Sequence, residues 1–250
     1  LTESINYAKR IQEAFLPELS EMQKELENFF IFYQPRDIVS GDFYWFQKVR
    51  NQYFIAVADC TGHGVPGAFM SLIGHNILNE IVNQKEIHTP AFILEQLHQE
   101  IFRRLKQAES GSKDGMDVAL VRIDLAKKVV EFAGAGRPIL WWHQYDLHEI
   151  KGDKLGVGGT TIQEDRKYQS HILNIDNGDA IYLFTDGFID QFGGEQNRKF
   201  TSPRFRELLL KNQHKKIQDI EQLLRRTFED WKGSEPQTDD VLVLGIKFLF

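Results

Sequence analysis

The spacing of apolar residues along the chain changes its period several times, and each change predicts a different kind of element. Near the start, Ile5, Ala8, Ile11 and Phe15 recur at three- and four-residue steps, which predicts an amphipathic helix that Pro17 ends or kinks. The helical periods cover residues 1–16, 18–28, 65–83, 90–107 and, as two helices, 202–231.

Between these helices the apolar residues form short aromatic or β-branched runs bounded by turn residues, and such runs favour strands. Residues 50–52 predict a hairpin turn between two of the runs, residues 176–179 predict another turn, and the Gly-rich segment 152–161 predicts a loop. The predicted strands cover residues 29–33, 42–46, 53–58, 118–125, 129–133, 139–142, 171–175, 180–184 and 241–250.

The order of these elements indicates the fold class. Helices come in pairs and do not alternate singly with strands, which is typical of an α+β fold with mainly antiparallel sheets. Two packed β-sheets flanked by helices would bury both sides of continuous apolar strands such as 54–58 and 180–184. We therefore expect a layered sandwich in one domain.

Composition and charge exclude some function classes. The chain has 250 residues, of which 42% are hydrophobic and 26% charged, with a net charge of −6. Without a basic run, the chain is not expected to bind nucleic acid. The lone Cys60 cannot form an internal disulfide, which favours a reducing compartment. We expect a cytoplasmic location, either free or as the cytoplasmic domain of a larger membrane-anchored protein.

Aspartates stand where apolar strands meet turns: Asp42, Asp59, Asp186 and the pair Asp239-Asp240. Acids at strand ends can converge at one rim of a sheet, where clustered carboxylates repel one another and are costly to bury unpaired. Oxygen ligands without His or Cys pairs favour Mg²⁺ or Mn²⁺ over Zn²⁺. Each aspartate alone also fits a turn or helix cap, so the residues themselves leave a metal site and a structural role open.

Five segments considered together are more specific. They are residues 37–44, 59–70, 114–117, 185–188 and 238–241. In this order they resemble the motif set of the SpoIIE-like (RsbU-like) serine phosphatases, a bacterial branch of the metal-dependent PPM phosphatases related to type 2C phosphatases. Residues 4–12 resemble the linker helix that joins such domains to upstream sensory or membrane modules. The resemblance divides the chain into a linker helix region, 1–28, and a phosphatase domain, 29–250.

The resemblance implies an αββα sandwich with two Mn²⁺ or Mg²⁺ ions at one end. The implied ligands and catalytic residues are Asp42, Asp59, Asp186 and Asp239, and the backbone carbonyl of Cys60 is a further implied ligand. The implied reaction removes phosphate from a phosphoserine or phosphothreonine of a partner signalling protein, with a STAS-type anti-sigma-factor antagonist as the expected substrate. A water that bridges the two cations would attack phosphorus.

Several positions depart from the pattern or leave alternatives open. Type 2C phosphatases place a His two residues after the bridging Asp as a general acid, but here that position is Thr61, and a structural role is favoured for His63. Asp114 and Asp117 fit either a third, weaker metal site or turn caps. Arg137 is a further candidate for contacting phosphate. Asp240 is expected to orient its neighbour or to cap the last strand.

Two alternatives concern the whole chain. The first is a catalytically weak or inactive phosphatase-fold module that relays signals by binding. The second concerns the N-terminal helix, which can pack on its own domain or pair with a second copy to form a homodimer. A metal-dependent nuclease or phosphodiesterase is disfavoured by the acidic balance of the chain.

Overall fold

A computed structural model describes residues 2–159 and 165–250. The predicted helices are all present, and short ones are added between strands. The helices are α1 Thr2–Phe15, α2 Leu19–Glu25, α3 Gly64–Asn79, α4 Pro90–Arg104, α5 Gln107–Ser110, α6 Gly187–Asp190, α7 Ser202–Lys211 and α8 Ile217–Lys232. Helix α3 continues as a π-helix over Glu80–Gln84. None of the helices within the described ranges is long and apolar enough to cross a membrane.

The strands pair antiparallel into two large sheets. The strands are β1 Phe29–Gln34, β2 Asp42–Val49, β3 Gln52–Cys60, β4 Gly115–Asp124, β5 Val129–Ala135, β6 Ile139–His143, β7 Asp146–Ile150, β8 Val157–Gly158, β9 Ser170–Asn174, β10 Ala180–Phe184, β11 Phe192–Gly193, β12 Arg198–Lys199 and β13 Val241–Lys247. One sheet has the order β1-β13-β10-β6-β7, the other has β2-β3-β4-β5-β9 with β8 beside β4, and β11-β12 form a small ribbon.

Three apolar clusters hold the layers together. Residues of α3 and α4 pack on the outer face of the β2-containing sheet, the inner faces of both sheets pack on each other, and α7 and α8 cover the outer face of the β1-containing sheet. This arrangement confirms the predicted α+β fold with two packed antiparallel sheets flanked by helices. The boundary between linker region and domain at residues 28 and 29 stays a prediction.

The alternation of side chains along β2 and β3 decides where the acids point. In β2, Phe43 and Trp45 face the helices while Tyr44 faces the other sheet. Because successive side chains of a strand alternate between faces, Asp42 lies on the same face as Tyr44. Asp59 lies on the inner face of β3 for the same reason, in line with Val57.

The sequence missed some elements for identifiable reasons. Strand β7 is an edge strand with polar residues, so it lacks the apolar run expected of a central strand. Helix α6 is a single turn, too short to show a period. The last strand ends at Lys247 and does not extend to Phe250. The predicted loop 152–161 contains the short strand β8, and its last two residues lie outside the described ranges.

The N-terminal helix α1 packs differently from the expected apolar stripe. Its only buried residue is Gln12, whereas Ile11 and Phe15 are 40% and 42% exposed. The Phe15 ring makes an edge-on contact with His75 of α3, with ring centroids 5.5 Å apart. Pairing with a second copy through this helix stays a prediction.

Candidate metal centre

Three aspartates form a row across the β2-containing sheet. Asp42 of β2 is the direct cross-strand partner of Asp59 in β3, and Asp59 is the direct partner of Asp117 in β4. Directly opposed residues of antiparallel strands project from the same face, with Cβ atoms about 5 Å apart. Like charges at such positions repel each other, so the row is unfavourable unless protons or cations neutralise it.

The second sheet brings further acids to the same end of the sandwich. Asp186 follows β10 and opens α6, and Asp239 stands just before β13, the neighbour of β10. Burial and then the charge of Asp186 raise the pKa of Asp59. Burial and the charges of Asp186 and Asp240 raise the pKa of Asp239. The four aspartates predicted from the sequence as ligands therefore lie close enough to influence one another.

Asp42 is the most deeply buried member of the group, with 2% of its surface exposed. Burial, followed by the negative charge of Asp59, raises its pKa well above the ordinary range, although a hydrogen bond from Thr185 opposes the shift. Its backbone is also fixed, because the Ser40 hydroxyl accepts a hydrogen bond from the Asp42 N–H at 3.0 Å and the Tyr33 hydroxyl donates to its carbonyl at 3.1 Å.

The balance of charge at this end fits divalent cations. The charges of Asp186 and Asp239 raise the pKa of Asp59, and the guanidinium of Arg137 lowers it. Arg137 is buried, its Nε has no hydrogen-bond partner among the described residues, and its guanidinium lies 5.3 Å from the centroid of the Phe184 ring. Arg137 alone does not balance the carboxylates of Asp42, Asp59, Asp186 and Asp239, and oxygen ligands of this kind suit Mg²⁺ or Mn²⁺.

The turn after β3 depends on a close approach of glycines. A Cβ on Gly41 or on Gly67 would lie 2.5 Å from the carbonyl oxygen of Gly62, and the Gly41 position is also 3.5 Å from the carbonyl oxygen of Cys60. The Cys60 carbonyl therefore lies beside the segment that leads into β2. The Cys60 thiol is buried, and burial raises its pKa, so it is not suited to act as a nucleophile.

Thr61, which stands at the position of the type 2C general acid, and His63 both have identified partners in the structure. The Thr61 hydroxyl donates to the Gly115 carbonyl and accepts from the Gly115 N–H, both at 3.1 Å, so it holds β4 against the turn. His63 is half-exposed, and its Nδ1 lies 2.8 Å from the Asp37 carboxylate. The expected structural role of His63 stays a prediction, and this contact with Asp37 supports it.

The carboxylates of Asp240 and Asp114 both accept hydrogen bonds from nearby groups. Asp240 accepts hydrogen bonds from the backbone N–H groups of Arg36 and Gly41, at 2.8 and 2.7 Å, so its side chain positions the segment before Asp42. Its backbone N–H donates to Asp239 Oδ1 at 2.8 Å, which agrees with the expectation that Asp240 orients its neighbour. Asp114 accepts a hydrogen bond from the Ser112 hydroxyl within its own turn. This contact fits the turn-cap alternative for Asp114, and a third metal site at Asp114 and Asp117 stays a prediction.

Comparison with known proteins identifies the family. The sequence profile described as Stage II sporulation protein E (SpoIIE) matches residues 50–249. The chain belongs to the SpoIIE family. This SpoIIE-family chain is 21% identical over 240 residues to phosphoserine phosphatase RsbP of Bacillus subtilis (strain 168), covering 94% of the chain and 55% of RsbP. It is 30% identical over 160 residues to phosphoserine phosphatase RsbU of the same organism, covering 61% of the chain and 44% of RsbU.

A solved structure agrees with this assignment. The SiaA PP2C domain of Pseudomonas aeruginosa has a TM-score of 0.89 and 32% sequence identity, covering 99% of this chain and 96% of that domain. The predicted family and its PP2C-type fold are therefore confirmed. The chain spans about half the length of the two curated relatives.

A cavity of about 320 Å³ opens beside the aspartate row of this SpoIIE-family domain. Its lining includes Asp59, Asp117, Asp186, Lys113 and Arg166. Arg166 Nη1 donates to the carbonyls of Gly156 and Gly158, which form one wall. The same wall is held by the Tyr168 hydroxyl, which donates to Gly156 O at 2.7 Å, and by His98 Nδ1, which accepts from Gly158 N at 2.9 Å.

No pattern in the sequence points to these wall residues. Arg166, Tyr168 and His98 are far apart in sequence and match none of the segments that carry the family resemblance. In the sequence, His98 lies within a predicted amphipathic helix. In the structure its side chain is completely buried, as that of a core residue would be. The long-range pairing of β4 with β8 places the Gly156–Gly158 wall beside the strand that carries Asp117.

A second acidic group lies at the opposite end of β10. Within the described ranges, one group of three metal-ligating side chains has all its candidate ligand atoms within 4.8 Å of one another, namely His143, Asp176 and Asp179. The carboxylates around Asp59 do not meet this distance as a group of three, so they are spaced more widely. Asp179 Oδ2 already interacts with Trp141 Nε1 at 3.3 Å, His143 Nδ1 at 2.8 Å and Asp176 N at 2.9 Å. This group therefore stabilises a turn at the far end of the sheet.

Proposed function

We propose that the chain is a metal-dependent protein phosphatase that hydrolyses phosphoserine or phosphothreonine on a partner signalling protein. The observation that carries the proposal is the aspartate row: Asp42, Asp59 and Asp117 are aligned across three strands, and Asp186 and Asp239 reach the same end from the other sheet. The naming of RsbP and RsbU as phosphoserine phosphatases supports the same reaction.

We assign the cations to the side chains of Asp42, Asp59, Asp186 and Asp239 and to the Cys60 carbonyl. When bound, two Mn²⁺ or Mg²⁺ ions would supply an activated water and neutralise charge on the phosphoryl oxygens. The chain contributes the placement of the ligands, since Thr185 and Ser40 hold Asp42 and Thr61 holds the turn after Asp59 against β4.

The cavity beside the row suits a phosphorylated side chain. Its volume of about 320 Å³ accommodates a phosphoserine or phosphothreonine but not a folded segment, so the rest of a protein substrate would lie across the rim. Exposed Lys113 and the wall residue Arg166 add positive charge to the lining of the cavity. Both charges favour an anionic substrate.

The protein substrate, the upstream control and the homodimer are also proposals. We propose a STAS-type anti-sigma-factor antagonist as the substrate, on the basis of the family. An upstream sensory or membrane module in the parent protein would control the domain through α1, in the cytoplasm. A homodimer through the exposed side of α1 belongs to the same proposal, because Tyr7, Ile11 and Phe15 leave apolar surface uncovered there.

Phosphate release tests the proposal directly. The substrates are a phosphoserine peptide and p-nitrophenyl phosphate, each with Mn²⁺ or with EDTA. Asp186→Ala should abolish release, and Asp176→Asn, an exposed acid at the other end of β10, should leave it unchanged. Release that survives EDTA or Asp186→Ala would rule out the proposal. Calorimetric Mn²⁺ binding without any release would instead favour the non-catalytic binding module.

A further inference from the structure

Arg137, in the turn between β5 and β6, carries a buried guanidinium without an anionic partner in the described part of the chain. The residue is 7% exposed, and its Nε has no hydrogen-bond partner there. No described residue forms an ion pair with it either. An unpaired charge is costly to bury, so native proteins pair such a group with an anion. The guanidinium of Arg137 is therefore suited to an anion that is not part of the protein.

The surroundings of Arg137 place its charge at the metal centre. The preceding residue, Gly136, has a φ of +73°, and a Cβ there would lie 2.4 Å from Asp117 Oδ1. This turn therefore lies directly against the Asp117 carboxylate. The guanidinium itself lies 5.3 Å from the ring centroid of Phe184, two residues before Asp186. Arg137 is thus held between the aspartate row of one sheet and the ligand-bearing end of β10 in the other.

The guanidinium acts on the neighbouring carboxylates without pairing with them. Burial is the largest influence on the pKa values of Asp59 and Asp117 and raises both, while the positive charge of Arg137 lowers both. A guanidinium in direct contact with these oxygens would compete with metal ions for them. At the separation seen here, the carboxylate oxygens stay available to cations, and the guanidinium stays available to an anion that those cations hold.

Two other arginines near this end already donate to protein acceptors. Arg166 Nη1 donates to two carbonyls of the cavity wall, and Arg36 Nη1 donates to the Thr238 carbonyl at 3.1 Å. A guanidinium presents five N–H donors in a planar fork that matches the oxygens of a phosphate. In Arg137 this fork is not used by the described residues, so it can be used by a ligand.

We propose that Arg137 binds the phosphoryl oxygens of the substrate at the metal centre, and those of the phosphate product after hydrolysis. The inference rests on the proposed function and deepens it by naming the side chain that recognises the phosphate. Carboxylate, cation, phosphoryl group and guanidinium would then alternate in charge. Hydrogen bonds from a guanidinium to phosphate are charge-assisted and can be bidentate, which orients the group as well as holding it.

Three variants separate phosphate recognition from general stabilisation. Arg137→Gln removes both the charge and the fork, whereas Arg137→Lys keeps the charge and loses the fork. Arg225→Gln is the matched control, because the guanidinium of Arg225 also lies against an aromatic ring, 4.5 Å from the centroid of Phe32, but pairs with Glu221 on the outer helix α8. Urea unfolding establishes that each variant is folded.

The first measurement is the binding of phenylphosphonate to the Mn²⁺-loaded chain by calorimetry. The C–P bond of this probe is not hydrolysed, so binding is measured without turnover. Because charge-assisted hydrogen bonds are lost, both Arg137 variants should bind the probe about 10-fold or more weakly than the wild type, and Arg225→Gln should match the wild type. Wild-type affinity for phenylphosphonate in both Arg137 variants would overturn the proposal.

The second measurement is Mn²⁺ affinity without the probe, and its expected direction is opposite. Arg137→Gln removes a positive charge beside the carboxylates, so it should bind Mn²⁺ as tightly as the wild type or more tightly. If this variant lost Mn²⁺ affinity together with phenylphosphonate affinity, Arg137 would have a structural role and the proposal would be wrong. A wild type that binds Mn²⁺ and phenylphosphonate but releases no phosphate from a phosphopeptide would overturn the proposed function alone.

Discussion

The Thr185 hydroxyl donates a hydrogen bond to Asp42 Oδ2 at 2.5 Å, and this contact joins the two sheets at the end where the acids gather. Thr185 follows β10 in one sheet, while Asp42 opens β2 in the other. The same hydroxyl accepts the Leu242 N–H at 3.2 Å, so its orientation is fixed by β13. The rim of the sandwich is therefore held by a polar bond to a candidate ligand.

Thr185→Val should weaken Mn²⁺ binding about 10-fold and lower the free energy of unfolding by about 1–3 kcal/mol, because a buried carboxyl loses its hydroxyl donor. Thr185→Ser is the matched control, since it keeps the donor and should behave like the wild type. Calorimetry with Mn²⁺ and urea unfolding in EDTA measure the two effects. Equal Mn²⁺ affinity in Thr185→Val and Thr185→Ser would contradict the role of this bond.

In the absence of metal, Asp59 should lower the stability of the folded protein, because it lies between Asp42 and Asp117 in the aspartate row. Asp59→Asn should raise the free energy of unfolding of the metal-free protein at pH 7 by up to about 1 kcal/mol, since like charges on directly opposed strand positions destabilise a sheet. The same change should abolish the stabilisation that Mn²⁺ gives the wild type. Melting temperatures with EDTA and with Mn²⁺ measure both. A variant that is less stable than the wild type in EDTA would show that the row is not under repulsion.

The pairing within this row shows how far the sequence could lead. The predicted turn at residues 50–52 joins β2 to β3 directly, and a tight hairpin sets the register that places Asp42 opposite Asp59. The β3–β4 pairing that adds Asp117 spans α3 and α4, so no local pattern sets its register. That is why the role of Asp117 stayed open between a metal site and a turn cap.

The polar contacts of α1 could not be predicted from the sequence for the same reason. Periodicity marks Ile11 and Phe15 as the face that should be buried, whereas Gln12 is buried because of partners in Ser40 and Ser71 that only the tertiary fold provides. Hydrophobic patterning predicts burial against an apolar layer. It contains no information about a glutamine that completes the hydrogen bonding of a distant backbone segment.

The metal-free protein should become less stable as pH rises above the ordinary aspartate pKa of 3.8. Burial and mutual repulsion raise the pKa values of Asp42, Asp59, Asp117 and Asp239 in the folded state. The folded state then holds more protons than the unfolded state over this interval, so the free energy of unfolding falls as the pH rises through it. Urea unfolding in EDTA between pH 5 and pH 8 measures the slope. Asp42→Asn should flatten it, and an equal slope in that variant would contradict the assignment.

Gly67→Ala should destabilise the protein and weaken Mn²⁺ binding, although Ala normally stabilises a helix by about 1 kcal/mol relative to Gly. A Cβ at Gly67 in α3 would lie 2.5 Å from the Gly62 carbonyl oxygen and 2.8 Å from the Gly41 Cα, and both contacts are with backbone that cannot rotate away. These two residues flank the segments that carry Asp59 and Asp42. Overpacking of this kind costs about 1–3 kcal/mol, which exceeds the gain in helix propensity.

Gly74→Ala provides the comparison for Gly67→Ala within the same helix. Its Cβ would lie 2.7 Å from Cε of Met116 and 2.9 Å from Cζ of Phe43, and the flexible methionine can move aside. Gly74→Ala should therefore cost less stability than Gly67→Ala and keep wild-type Mn²⁺ affinity, as measured by urea unfolding and calorimetry. If Gly67→Ala bound Mn²⁺ as tightly as Gly74→Ala, the close approach of the glycines would not be what places the two ligand-bearing segments side by side.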